Sequence, residues 1–110
     1  MSQKTPSFHN ELIQHARNMG NVVNSLNNLQ LNEESTHTGL AFATDLANKV
    51  FSAAENQEGK NKIGLVNQGI IHLQNVADSI GLLHPNSRHH QSALMVLGAA
   101  KEAAAKYLLQ

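Results

Sequence analysis

Twenty residues of this chain come back. The stretch NVVNSLNNLQLNEESTHTGL, positions 21–40, returns without a gap as NVADSIGLLHPNSRHHQSAL, positions 75–94. Asn21, Val22, Ser25, Leu29, Asn32 and Leu40 recur as Asn75, Val76, Ser79, Leu83, Asn86 and Leu94, each 54 positions on (75 − 21). Conservative pairs fill in between: Asn24 with Asp78, Leu26 with Ile80, Thr38 with Ser92. An offset near half of the 110 residues implies one unit written twice, and a copied unit has to bury the same face twice.

The spacing says which unit. Leu12, Met19 and Leu26 form one apolar row at heptad spacing, and Phe8, His15, Val22 and Leu29 form a second. Such spacing places both rows on one face of a helix, which Thr5-Pro6-Ser7 is suited to start and which is expected to end near Gln30. Asn32, Glu33 and Glu34 read as a new helix start, a cap followed by carboxylates at the positive end of the helix dipole. The second stripe is Leu40, Ala43, Ala47, Val50 and Ala54, flanked by Phe42, Leu46 and Phe51, with Gly59 as a left-handed stop. Ile63, Val66, Ile70, Leu73, Ala77 and Ile80 mark a third helix, ended by Pro85 because its ring disfavours helical backbone at His84. After a cap at Asn86 or Ser87, the fourth carries His90, Ala93, Leu97, Ala100, Ala104 and Tyr107, flanked by Leu94, Val96 and Leu108.

The expectation is an all-α protein: one domain over 1–110, an antiparallel up-down-up-down four-helix bundle made of two duplicated helical hairpins. Hairpin 1 spans about 7–57 and hairpin 2 about 61–109. With 41 % apolar residues but only 4 % aromatics, the core has to be built from Leu, Ile, Val and Ala, the usual stock of a helix bundle. The paired Asn21/Asn75 and Ser25/Ser79 lie off the apolar rows, where symmetric bonds to a neighbouring helix or simple retention after copying explain them equally well.

Charge and cysteine usage narrow the function classes. Formal net charge is zero and charged residues are 15 %, so the clustered Lys and Arg that neutralise phosphates are missing and no nucleic-acid partner is expected. Near-zero charge also gives little self-repulsion, which favours a tight partner or a homodimer. With no cysteine there is no disulfide, thiol nucleophile or thiolate metal site. MSQKTPSFHNE lacks the apolar core of a secretion signal, and no apolar run is long enough to span a bilayer. The expected location is the cytoplasm in which the chain is made, with no membrane partner; export by a route without such a signal would leave no trace in the sequence.

Catalytic patterns do not occur: no G-x-S-x-G, no H-E-x-x-H, no phosphate-cradling glycine loop and no dinucleotide fingerprint. The chain is read as no enzyme, with no cofactor. Seven histidines raise the alternative of a histidine-based metal or phosphotransfer bundle. His15, with Glu11 one turn before it, reads as a partly buried, hydrogen-bonded histidine. The full di-metal bundle set, Glu-x-x-His on two helices with two further glutamates, does not occur. His89 and His90 are adjacent and point about 100° apart on a helix. Histidine phosphotransfer domains are similar in size and helicity, but carry a Lys-Gly pair after the phosphorylated histidine. His37-Thr38-Gly39-Leu40 and His72-Leu73-Gln74-Asn75 lack that lysine.

The two loops expected at one bundle end are more informative. Glu33 and Glu34 sit in the first; Ser87 and Arg88 hold the repeated positions in the second, beside His84, His89 and His90. Pairing between the loops is one account, and a polar docking surface with Arg88 near a helix N-terminus is the other. In type, the chain is similar to the short, cysteine-free helical inhibitors, antidotes and secretion accessory factors of bacteria, although no residue motif ties it to one family. The resulting expectation is a non-enzymatic module that docks on another protein and regulates or inhibits it sterically. Its surface is placed at Glu33, Glu34, Arg88, His89 and His90, with Phe42 and Phe51 as exposed apolar flanks. A structural homo-oligomer or secretion chaperone is the further alternative.

Overall fold

The computed structural model describes the backbone of residues 7–27 and 34–109, with side chains for 7–26 and 39–109. It contains four α-helices and, among the described residues, no strand: α1 Phe8–Asn27, α2 Glu34–Ala54, α3 Gly59–Leu83 and α4 Arg88–Leu109. The expected end of the first helix near Gln30, and Leu29 in its second row, lie outside the described residues.

Local chemistry sets the helix ends. The Ser7 hydroxyl accepts the Asn10 amide at 3.2 Å, so Ser7 is the cap of α1. Ser87 does the same for α4, accepting the His90 amide at 3.0 Å. Asn86 instead takes the left-handed turn position, φ 61°, which asparagine tolerates better than most side chains. The His84 amide donates to the Ile80 carbonyl at 2.8 Å, and α3 stops one residue before that, ahead of Pro85. At the end of α2 the amides of Glu55, Asn56 and Gln57 each reach back three residues, tightening the last turn. Gly59 has φ +60°, as a left-handed stop requires, but it opens α3 rather than closing α2.

Each helix packs against two others: α1 against α2 and α4, α3 against α2 and α4. The diagonal pair α1 and α3 barely touch, so the helices enclose a four-sided core. Leu12, Met19 and Leu26 are fully buried, as their spacing predicts. The second row of α1 is shifted by one residue from expectation. Ala16 and Val23 are buried, while Phe8, His15 and Val22 are half-buried on the flank. One residue is a rotation of about 100°, so Phe8 and His15 face the seam with α4 instead of the centre.

The face of α2 differs more. Leu40, Ala47 and Ala54 are buried as expected, but Ala43 and Val50 are half-buried, and Thr44 and Phe51 take the central places. Thr44 can be buried because its hydroxyl donates to the Ala41 carbonyl at 2.8 Å. Phe51, expected as an exposed flank, is the largest fully buried side chain among the described residues. The reason lies on another helix. Its ring lies against Gly69 of α3, so close that a Cβ there would come within 2.2 Å of a ring carbon. In α3, Val66, Leu73, Ala77 and Ile80 are buried with Gly69 and Val76, whereas Ile63 in the first turn is 46 % exposed. In α4 the stripe Ala93, Leu97, Ala100, Ala104 and Tyr107 is buried with Ala103, and His90 is half-buried.

These burial patterns repeat at two distances. Leu12, Met19, Val23 and Leu26 match Val66, Leu73, Ala77 and Ile80, 54 positions on (66 − 12), whereas the buried Ala16 corresponds to the half-buried Ile70 and the half-buried Val22 to the buried Val76. Leu40, Thr44, Ala47, Phe51 and Ala54 match Ala93, Leu97, Ala100, Ala104 and Tyr107, only 53 positions on (93 − 40). The sequence match therefore runs one residue out of step with the packing beyond the loops. Leu94, identical to Leu40 in the repeat, is 45 % exposed, and Ala93 holds the buried place. The repeated Ser25 bonds its own helix, its hydroxyl donating to the Asn21 carbonyl at 3.1 Å, and both residues are exposed.

Candidate functional surface

The loop-end residues picked out by the sequence part company in the structure. Glu33 lies outside the described residues; Glu34 opens α2, but its side chain is not among those described. A charge pairing between the two loops therefore falls outside the described side chains. Arg88 is exposed at the first position of α4, and His89 is half-buried. His90 does not present its ring freely: its Nε2 would stand 2.6 Å from a Cβ on Gly81, so the imidazole is laid against the glycine backbone of α3. Phe42 is 61 % exposed. Phe51 leaves the candidate surface, because a side chain with no accessible area offers nothing to a partner.

Other large apolar side chains join Phe42 on the outside. Leu82, Met95 and Ile71 are each more than half exposed, and Leu94 is nearly so. Hydrophobic side chains exposed singly are ordinary. Leu82, Met95 and Ile71 stand off the core stripes, where an isolated apolar residue carries no periodic signal, and Leu94 is the expected flank of the α4 stripe.

The opposite end of the fold holds a cluster the sequence did not announce. The Nε2–H of His9 donates to the Phe51 carbonyl at 3.0 Å, since a carbonyl can only accept. That carbonyl belongs to the last turn of α2, where the Glu55 amide has turned to Ser52 instead. A side chain from α1 thus satisfies an end-of-helix acceptor of α2. The His9 Nδ1 lies 3.8 Å from the Glu55 carboxylate, and its ring centroid is 5.7 Å from that of Tyr107. The Lys62 ammonium stands 4.8 Å over the Tyr107 ring, and that of Lys106 stands 5.8 Å over Phe8. The heptad His9, Ala16, Val23 was the available signal, hidden because histidine does not count as apolar.

Between α1 and α4 a shallow cleft of about 220 Å³ is lined by Glu11, His15, Ala99, Glu102, Ala103 and Lys106. His15 is half-buried on its wall, and Lys106 is paired with Glu102 at 3.4 Å. Glu34-Ser35-Thr36-His37 is the one Glu-x-x-His run in the chain, and those side chains are not among those described. Among the described residues no three His, Asp or Glu come together as a metal site would need, and no helix is long and apolar enough to cross a membrane. No family model, curated protein or solved structure matches the chain.

Proposed function

We propose that this chain is a non-enzymatic helical module that docks on another protein and regulates or inhibits it by covering part of its surface. The short connections 55–58 and 84–87 and the contacts across them favour an up-down-up-down bundle of two copied hairpins. Counting along antiparallel helices from Phe51 against Gly69 puts Phe42 about level with Asp78. Counting from Gly81 against His90 puts Leu94 about level with Ala77. Phe42, Leu82, Leu94 and Met95 then form a collar around the half of the bundle that carries the α3–α4 turn, close to Arg88 and His89.

The exposure of Phe42, Leu82, Leu94 and Met95 is the observation carrying the proposal. A charge-poor chain with several large exposed apolar groups suits burial against a partner. Arg88 and His89 would supply the polar rim, and no covalent chemistry is required of them. The experiment is affinity capture from the native cells with mass spectrometry, comparing wild type with Phe42→Ser, Leu82→Ser and Met95→Ser. One partner retained by wild type and lost by the collar variants supports the reading. Retention of that partner by all three variants refutes the collar. The alternative of a histidine-based metal site predicts stoichiometric metal in untagged protein, lost on replacing His15 or His90.

A further inference from the structure

We infer that the partner best fitted by the seams between the hairpins is a second copy of this chain, reached by exchanging hairpins about a hinge at Glu55–Gly59. Specific packing joins the two hairpins to each other as well as the helices within each. Phe51 of α2 rests on Gly69 of α3. On the other seam, His9 lies beside Tyr107 and Phe8 lies under Lys106. All of these contacts join α1 or α2 to α3 or α4, so a hairpin from another molecule can make them without change. The two halves also bury largely corresponding positions, 54 and 53 residues apart, so a hairpin from a second copy offers the same buried faces as the chain's own.

What decides between one chain and two is therefore the connection alone. It consists of Glu55, Asn56, Gln57 and Glu58, contains no proline, and reverses the chain by way of Gly59 at φ +60°. Nothing lies within 4 Å of a Cβ built on Gly59, so the backbone conformation is the only obstacle to a side chain there. If the same residues become helical, α2 and α3 join into one rod, the reversal disappears, and hairpin 1 of each copy meets hairpin 2 of the other. The second hinge candidate, the α3–α4 turn, is held by Pro85 and cannot straighten in this way.

Gly59→Ala separates the two states, because alanine is disfavoured at positive φ in the reversal and favoured in the continuous helix. Each effect is of the order that shifts an equilibrium by about tenfold, so together they give about a hundredfold per chain and about ten-thousandfold for a dimer with two hinges. Wild type, Gly59→Ala and Gly59→Asn are refolded at high concentration, checked for helix content by circular dichroism and sized by chromatography with light scattering. A dimer increased by Gly59→Ala, not by Gly59→Asn, and persisting on dilution for as long as global unfolding takes, is the expected result. An unchanged monomer–dimer ratio in Gly59→Ala overturns the inference, as does a dimer that separates promptly on dilution. Deleting Asn56 and Gln57 removes the room to reverse and should leave only dimer; a folded monomer of that variant overturns it independently.

Discussion

Two glycines on α3 respond oppositely to the same substitution. Gly64 and Gly69 are both inside the helix, and alanine at either should raise helix propensity by about 1 kcal/mol. At Gly64 nothing lies within 4 Å of the added methyl, so that gain stands and Gly64→Ala stabilises the protein. At Gly69 the methyl meets the Phe51 ring at 2.2 to 2.6 Å, far inside any real contact, and Phe51 is wholly buried with no solvent side to swing into. Overpacking of this kind costs about 1–3 kcal/mol, which cancels or exceeds the propensity gain. Propensity drops out of the comparison, leaving Gly69→Ala less stable than Gly64→Ala by about 1–3 kcal/mol. For a domain of this size that is a gap of about 4–12 °C in Tm. Thermal and urea unfolding followed by circular dichroism measure it. Combining Gly69→Ala with Phe51→Leu should recover part of the loss, because the smaller side chain vacates the space the methyl needs. Equal Tm values for the two alanine variants, or no coupling with Phe51→Leu, would show that the α2–α3 seam is not closed by this ring on this glycine.

Other expected outcomes concern the helix ends and the collar. Ser87→Ala should cost about 1 kcal/mol by removing the acceptor of the His90 amide, with Ser87→Asp restoring most of it; urea midpoints decide. His9→Leu should lower stability by about 1–3 kcal/mol, because it leaves the Phe51 carbonyl without its donor, and hydrogen exchange should quicken first in the last turn of α2. Phe42→Ser should stay within about 0.5 kcal/mol of wild type in unfolding while losing partner capture, whereas Phe51→Ala should cost about 3–5 kcal/mol.

Heptad spacing was enough to find four helices and most of what they bury. Steps of three and four residues leave few alternatives once the apolar groups are leucine-, valine- and alanine-like, so Leu12, Met19, Leu26, Val66, Leu73 and Ile80 were legible as core. The same rule cannot tell a central row from one at a seam, since neighbouring rows are about 100° apart and both are partly covered. That is why Phe8 and Val22 were placed too deep. Of the candidate docking residues, Phe42 and Arg88 are exposed in the structure, while Phe51 is buried and His90 is laid against α3.

Helix formation and its approximate limits came from short-range order: side-chain periodicity, capping hydroxyls and a proline, all acting within a turn or two of where they stand. Which face of α2 points inward depended on a glycine 18 positions further along the chain (69 − 51), because a phenyl ring goes to the centre only where another helix leaves a gap for it. The half-buried place of His9 had the same kind of origin, in a carbonyl that α2 leaves unfilled at its end. Side chains declare a preference for burial; the shape of the opposing surface decides which of them obtain it.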